Sequence, residues 1–203
     1  MKTLAWTKER SDKLLPYEPG PNLTFGSPGR KHLSKWIYQL DLERFNILVR
    51  EPIDVLNFVV EHMIYDSDDA VHGVGEYWFQ NAEDLYDWLF DKRHDDCDAS
   101  AQAVASILHS AGNKDVRLAL GFYGDKRAMR SPSHMNHAYC LLQTGESDYK
   151  LLDAVGDQPF QWLENADQPN YTTIISAAAD GRIWLHNDHA KEWEEKLSNR
   201  EVF

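Results

Sequence analysis

The spacing of apolar residues predicts helices in the first half of the chain. Between residues 51 and 68, apolar side chains recur from Val55 to Met63 at the i, i+3, i+4 spacing of one helix face. The segment 81–92 has the same character, with Asn81 as its expected N-cap and two acidic residues in its first turn. Residues 31–50 alternate more loosely, and the pattern allows either helix or strand.

A third helix is predicted within "RHDDCDASAQAVASILHSAG", residues 93–112. Asp96 is a natural N-cap for it, and Gly112 is a natural terminator. A helical projection predicts that its core-facing stripe consists of Cys97, Ala101, Val104, Leu108 and Ala111. The same projection assigns to its polar side Asp98, Gln102 and His109.

Beyond this helix the period changes to the alternation of strands. The predicted strands cover residues 115–124, 136–143, 148–155, 170–178 and 181–186. Helices that precede consecutive strands are typical of the α+β class with an antiparallel sheet, rather than of a wound parallel sheet.

The two ends of the chain differ from the body. Residues 1–30 are rich in proline and glycine, which predicts an extended arm that lies over the body or docks to a neighbour, with an unattached tail as the alternative. Residues 31–187 are predicted to form one domain, and residues 188–203 a charged helix or a frayed tail.

Composition and charge narrow the class of protein. Hydrophobic residues make up 42% of the 203 positions, which is typical of a folded globular chain. The formal net charge of −12 disfavours nucleic acid as a partner, because an acidic surface repels phosphates. No apolar run is long enough for a membrane span or a secretory leader, so a cytoplasmic location is the default expectation, with a virion or another export route left open.

The chain has only two cysteines, Cys97 and Cys140, too few for a disulfide framework. We expect both to be reduced and to lie on different sides of the layout. Cys97 stands at a helix N-terminus, where the helix dipole lowers a thiol pKa, although the flanking aspartates oppose this. A small core hydrophobe is the alternative role for Cys97.

A predicted hairpin supplies partners for this thiol. If the turn after residue 143 centres on Gly145, His137 stands directly opposite Asp153 and the two share one face of the sheet. A carboxylate there would hold the imidazole in one tautomer, as in a Cys-His-Asp system. A shift of register by one residue would make Asp157 the candidate instead. Cys140 has the opposite parity, and core filling is its expected role.

The stretches "DDCDASAQAVASILHSAG", "NHAYCLLQ" and "YKLLDAV" together resemble the transglutaminase-like superfamily of papain-like thiol enzymes, and within it the bacterial transglutaminase-like cysteine proteinases. The resemblance implies a papain/transglutaminase-like fold, with the catalytic helix packed on an antiparallel sheet. It implies a cysteine peptidase, amidase or transglutaminase-like activity on a protein or peptide. Cys97 matches the nucleophile, His137 the general base and Asp153 its orienter, while Ala154 departs from the usual asparagine.

The resemblance implies no required cofactor. Some relatives bind calcium through acids that flank the cysteine, and Asp96 and Asp98 match those positions. An acyl-transfer mechanism also needs donors for an oxyanion. The backbone N–H at the helix tip is the first, and the candidates for the second are Trp78, Gln80 and Asn81. The basic segment 125–136 is a candidate lid, with a solvated loop as the alternative.

Two other functions remain open on the sequence. One is a zinc-binding domain, since the spacing of four residues suits a structural zinc site, namely His94, Cys97, His134 and His137. The other is a non-catalytic member of the same fold that serves as a binding or assembly module, for example in a virus particle or a secretion apparatus.

Overall fold

The computed structural model describes residues 6–9, 33–73, 77–124, 136–144, 149–155, 161–163 and 171–186. The helices of this part are α1 (Leu42–Phe45), α2 (Pro52–His62), α3 (Asp68–His72), α4 (Ala82–Asp87) and α5 (Cys97–Ser110). A 3₁₀ turn covers Leu33–Trp36, and a π-helical segment continues α4 over Trp88–Lys92.

Most of the strands follow the helices in the chain. They are β1 (Trp6–Glu9), β2 (Ile64–Tyr65), β3 (His94–Asp95), β4 (Val116–Tyr123), β5 (His137–Gln143), β6 (Tyr149–Asp153), β7 (Gln161–Leu163), β8 (Tyr171–Ala177) and β9 (Ile183–His186). Seven of them form an antiparallel sheet in the order β1-β9-β8-β4-β5-β6-β7, while β2 and β3 form a short parallel pair. The predicted α+β class with an antiparallel sheet is therefore confirmed.

The helix boundaries follow from local capping. Asp54 accepts a hydrogen bond from the Glu51 backbone N–H at 2.9 Å, which closes a capping box at the start of α2. Asn81 accepts from the Asp84 N–H at 2.9 Å and caps α4, as predicted. Asp96 caps α5 by accepting from the Asp98 N–H at 3.3 Å. After α5 the chain turns at Gly112, whose φ of +96° favours glycine.

Helix α5 lies at the centre of the molecule. Its inner face packs on β4 and β5, and α2 packs on it from the other side. Asp98 and Gln102, which the projection assigns to the polar side of α5, are both fully buried. The projection describes an amphipathic helix with one face exposed to solvent, whereas α5 is covered by the sheet on one side and by α2 on the other.

The buried polar residues of α5 bond to backbone groups of the segments that cover it. Gln102 accepts from the Phe79 N–H at 3.1 Å and donates to the Phe79 carbonyl at 2.9 Å, as a neighbouring strand would. Ser106 Oγ accepts from the Tyr38 N–H at 2.9 Å. These bonds satisfy backbone groups that would otherwise be buried without partners.

Both cysteines are free, as predicted. The prediction that they lie on different sides of the fold is wrong. Cys97 and Cys140 belong to the same hydrophobic core between α5 and the sheet. Cys140 is fully buried there and its thiol donates to the Ala101 carbonyl at 3.1 Å. Its expected role as a core-filling side chain is confirmed.

Part of the predicted N-terminal arm is described. Strand β1 pairs antiparallel with β9 at the edge of the sheet, with Trp6 opposite His186. The predicted C-terminal segment 188–203 and residues 125–135 of the candidate lid lie outside the described residues. Within the described ranges, no helix has both the length and the apolar character that crossing a membrane requires.

Candidate functional site

The hairpin of β5 and β6 differs from the predicted register by two residues. Leu141 pairs with Leu151, whereas a turn centred on Gly145 would have placed Leu151 opposite Tyr139. His137 and Asp153 are therefore diagonal neighbours and not directly opposed. Because side chains alternate with a period of two, a shift of two residues keeps both on the same face.

His137 and Asp153 are in direct contact. His137 Nε2 lies 2.6 Å from Asp153 Oδ2, and the two residues are only 6% and 2% exposed. A carboxylate can only accept, so this contact assigns the ring proton to Nε2 and leaves Nδ1 as the basic nitrogen. The second carboxylate oxygen, Oδ1, accepts from the Val155 N–H at 2.9 Å and fixes the orientation of Asp153.

Three tyrosines surround this pair. Tyr171 donates its hydroxyl to Asp153 Oδ2 at 2.6 Å, the same oxygen that faces His137. The ring centroids of Tyr123, Tyr139 and Tyr171 lie 5.4, 5.8 and 6.0 Å from that of His137. Burial, followed by the charge of Asp153, raises the pKa of Tyr171, so its hydroxyl stays protonated and remains a donor.

Cys97 occupies the first position of α5 and is 5% exposed. Ala138 of β5 belongs to the same buried core as Cys97, so its side chain points toward α5. His137 has the parity of Tyr139, but as the first residue of β5 it lies at the end of the sheet, where it lines a cavity together with Met63 and Tyr65 of the helical layer. The structure thus brings together His137 and Asp153, while the contact between the Cys97 sulfur and the His137 ring stays a prediction.

A cavity of about 520 Å³ opens beside His137. The residues that line it come from the end of α2, from β2 and from the ends of β4, β5 and β6. They are Val60, Met63, Tyr65, Tyr123, Asn136, His137, Ala154 and Val155. The cavity therefore lies where the helical layer meets the end of the sheet, and a ligand in it would reach the imidazole.

Tyr65 connects this cavity with the start of α5. Burial raises the pKa of the Tyr65 hydroxyl, and the acidic groups at the start of α5 add to this shift. Tyr65 also lines the cavity that contains His137. Tyr65 pairs with Asp95, two residues before Cys97, and thus joins the start of α5 to the imidazole cavity, although its side chain is 59% exposed.

The three candidates for the second oxyanion donor differ in the hydrogen bonds that their side chains already make. Asn81 is engaged in capping α4, and Gln80 Nε2 donates to the Trp78 carbonyl at 2.5 Å. Trp78 is 1% exposed, and its indole Nε1 has no hydrogen-bond partner among the described residues. Trp78 also belongs to the same core as Cys97, so its N–H is the available donor of the three.

Asp96 and Asp98 were the expected calcium ligands. The structure adds Asp68 and Asp95 to them, and one oxygen from each of the four lies within 4.8 Å of the others. One oxygen of Asp96 caps α5, and Asp98 Oδ1 accepts from the Ala99 N–H at 2.7 Å. Calcium takes six to eight oxygens, so Asp96 and Asp98 alone do not fit the ion. Calcium binding at these two residues stays a prediction.

The predicted zinc set is dispersed as far as it is described. His94 is half exposed and its Nδ1 contacts Asp66 at 2.6 Å, while His137 contacts Asp153. His134 lies outside the described residues. The possible metal-binding groups in the described ranges do not include His94, Cys97 or His137.

Sequence reasoning missed Tyr65, Tyr171 and Asp68 as neighbours of the site. Nothing local distinguishes Tyr171 from other strand tyrosines, since its contact with Asp153 depends on the packing of β8 near β6. The acids at 66, 68 and 69 form a visible acidic run, but only the fold places Asp68 beside the start of α5.

In comparisons with known proteins, no family model matches the chain, and no curated protein matches it either.

Proposed function

We propose that this protein is a thiol-dependent acyl-transfer enzyme with a papain/transglutaminase-like fold. Cys97 acts as the nucleophile on an amide of a protein or peptide, His137 as the general base and Asp153 as its orienter. The observation that carries the proposal is the buried His137–Asp153 contact of 2.6 Å beside a cavity that is also lined by Tyr65, which pairs with Asp95 two residues before Cys97.

The first step is a proton transfer. His137 holds its own proton on Nε2 toward Asp153, so Nδ1 takes the proton from the Cys97 thiol. The resulting imidazolium lies between a thiolate and a carboxylate, and both anions stabilise it. Asp153 is held in place by two further donors, the Tyr171 hydroxyl and the Val155 N–H.

The thiolate then attacks the substrate carbonyl. The tetrahedral intermediate carries its negative charge on oxygen, which the backbone N–H at the start of α5 and the Trp78 indole N–H stabilise. Collapse of the intermediate breaks the C–N bond, and His137 returns its proton to the leaving amine. Water attacks the acyl-enzyme in hydrolysis, or a second amine attacks it in transamidation, and either restores the thiol.

Thiol labelling across pH tests the proposal directly. Full-length protein is treated with iodoacetamide between pH 5 and 9, and modification of each cysteine is followed by peptide mass spectrometry. We expect Cys97 to be alkylated well below pH 8, because His137 supplies the base, and His137→Ala to lose this reactivity. Cys140 is an internal control, because burial raises the pKa of its thiol and it should stay unmodified.

The same experiment separates an enzyme from a non-catalytic module of this fold. A module needs no activated thiol, so equal alkylation of Cys97 in wild type and His137→Ala would contradict the proposal. If labelling supports it, incubation with a peptide carrying a reporter amide, with and without an added primary amine, distinguishes hydrolysis from transamidation.

A further inference from the structure

A second group of titratable side chains lies next to the start of α5. It consists of Asp68 and His72 on α3 and Asp95 on β3, and one ligand atom from each lies within 4.8 Å of the others. Asp68 and Asp95 are 1% and 0% exposed, and His72 is half-buried. Two buried carboxylates this close repel each other strongly unless a proton or a cation lies between them.

One oxygen in this group has no donor. The Tyr77 N–H donates to Asp68 Oδ2, while Asp68 Oδ1 is buried and has no hydrogen-bond partner among the described residues. Asp95 cannot serve as its donor unless one of the two carboxyl groups is protonated. The free oxygen therefore needs a positively charged ligand or a shared proton.

The neighbouring groups hold all three side chains in fixed orientations. The His72 ring stacks on Tyr77 with centroids 3.8 Å apart, and its Nε2 lies 2.9 Å from Asp95 Oδ2. Asp95 Oδ1 accepts from the Asp96 N–H at 2.9 Å. Asp68 Oδ1, Asp95 Oδ2 and His72 Nε2 are thus the atoms that remain for a common ligand.

We propose that Asp68, His72 and Asp95 bind one divalent cation of the zinc class. An imidazole with two carboxylates is a donor set typical of zinc and its first-row neighbours. Two ligands about 2.1 Å from one tetrahedral ion lie about 3.4 Å apart, so side-chain shifts of up to about an ångström close the site. The ion neutralises the two buried carboxylates and displaces the Nε2 proton of His72.

This site differs from a calcium site at Asp96 and Asp98. Calcium prefers oxygen ligands and does not select imidazole, whereas His72 contributes nitrogen. It also differs from the zinc set of His94, Cys97, His134 and His137, with which it shares no residue. Its structural effect is to tie α3 to β3, two residues before Cys97, and so to hold the first turn of α5.

Direct metal binding tests the proposal without any assay of activity. Full-length protein is stripped with a chelator, and Zn²⁺ is titrated by calorimetry while Co²⁺ is titrated by visible absorption. We expect one ion per chain, and a loss of affinity of about tenfold or more in Asp68→Asn and in His72→Ala. Zinc should also raise the melting temperature of the wild type but not of Asp68→Asn.

Matched controls come from a neighbouring His–Asp pair. Asp66 and His94 are also 2.6 Å apart but half exposed, so Asp66→Asn and His94→Ala should bind zinc as the wild type does. Cys97→Ser should also bind normally. If a variant does not fold, paramagnetic broadening of the His72 ring signals by Co²⁺ in the wild type supplies the same information.

Three outcomes would overturn the proposal. The first is no stoichiometric binding of Zn²⁺ or Co²⁺ by the wild type. The second is an equal loss of affinity in Asp66→Asn and Asp68→Asn. The third is a preference for Ca²⁺ that depends on Asp98 and survives His72→Ala. A failure of Cys97 to react with iodoacetamide would contradict the enzyme but not this site.

Discussion

At the scale of single residues, Asp153 fixes the geometry of the candidate site around His137. Its two oxygens accept from three donors on three different segments: His137, Val155 and Tyr171. Such a carboxylate has little freedom to rotate, and it holds the imidazole in one tautomer. The orientation and the tautomer of His137, and so its ability to act as the proposed base, therefore depend on the Asp153 side chain.

Replacement of Asp153 by asparagine should leave the fold intact and abolish the chemistry. An asparagine NH₂ facing His137 Nε2 would favour the tautomer with the proton on Nδ1, which cannot accept the thiol proton. We expect alkylation of Cys97 at pH 6 to slow, and turnover of a peptide amide to fall by about 10²–10⁴. An unchanged rate in a folded Asp153→Asn protein would exclude Asp153 as the orienter.

Tyr171 is one of the three residues that sequence reasoning did not find, and Tyr139 offers a matched control for it. Tyr171→Phe removes the donor to Asp153, while Tyr139→Phe removes a buried bond of the same length, 2.6 Å, to Thr173. Both variants should lose about 1–3 kcal/mol of stability. Only Tyr171→Phe should slow Cys97 labelling, by roughly tenfold, since only it alters Asp153. Equal rates in the two variants would show that Tyr171 is merely structural.

At the scale of elements, α5 is held by polar as well as apolar contacts. Gln102 bonds to both backbone groups of Phe79, and its two bonds join α5 to the segment before α4. That segment carries Trp78, the candidate oxyanion donor. Gln102 thus helps to fix the position of the donor relative to α5, together with the Tyr38 hydroxyl, which also donates to the Phe79 carbonyl.

Gln102→Ala should be strongly destabilising. It leaves the Phe79 N–H buried without a partner, while the Phe79 carbonyl keeps the Tyr38 hydroxyl as a donor at 2.7 Å. We therefore expect a loss of roughly 1–4 kcal/mol in chemical denaturation, from the unpaired N–H and the two lost bonds. Glu61→Ala on the exposed face of α2 should change stability by less than about 0.5 kcal/mol. A similar small effect for both would mean that water replaces the Gln102 bonds.

At the scale of the whole molecule, buried carboxylates determine how stability depends on pH. In the metal-free protein, burial followed by proximity to Asp95 raises the pKa of Asp68 to about 8. Burial also raises the pKa of Asp95 to about 6. An unfolded aspartate titrates near 3.9, so between these values the folded state holds protons that the unfolded state lacks.

The sign of the effect follows from this difference. Stability from these groups is fully present below about pH 4 and is lost as pH rises toward 8, by about 1.4 kcal/mol per pH unit for each proton held. In chelator, Asp68→Asn should therefore be more stable than the wild type at pH 8, and this advantage should shrink toward pH 5. Denaturation at several pH values, with Asp66→Asn as a surface control, measures it. An advantage that grows as pH falls would contradict the raised pKa.

Much of the architecture could be predicted locally. The caps at Asn81 and Asp96 and the apolar spacing of α2 mark helix starts within a residue or two, and alternation marks the strands of the hairpin. The predictions that depended on neighbours were less successful. The helical projection assigns Asp98 and Gln102 to a polar side, but both are buried. A projection of one helix contains no information about which segments cover it.

The sequence by itself determined the order of helices and strands, their caps, and the common face of His137 and Asp153, because each depends on local periodicity or on strand parity. Parity survives a shift of two residues, so the pair meets although the predicted register was wrong. Only the tertiary structure decided the register, the burial of both faces of α5 and the meeting of Asp68 and His72 with Asp95. The register depends on the pairing of the two strands, which alternation alone does not specify. The other two depend on contacts between segments more than twenty residues apart, where burial and charge act through space.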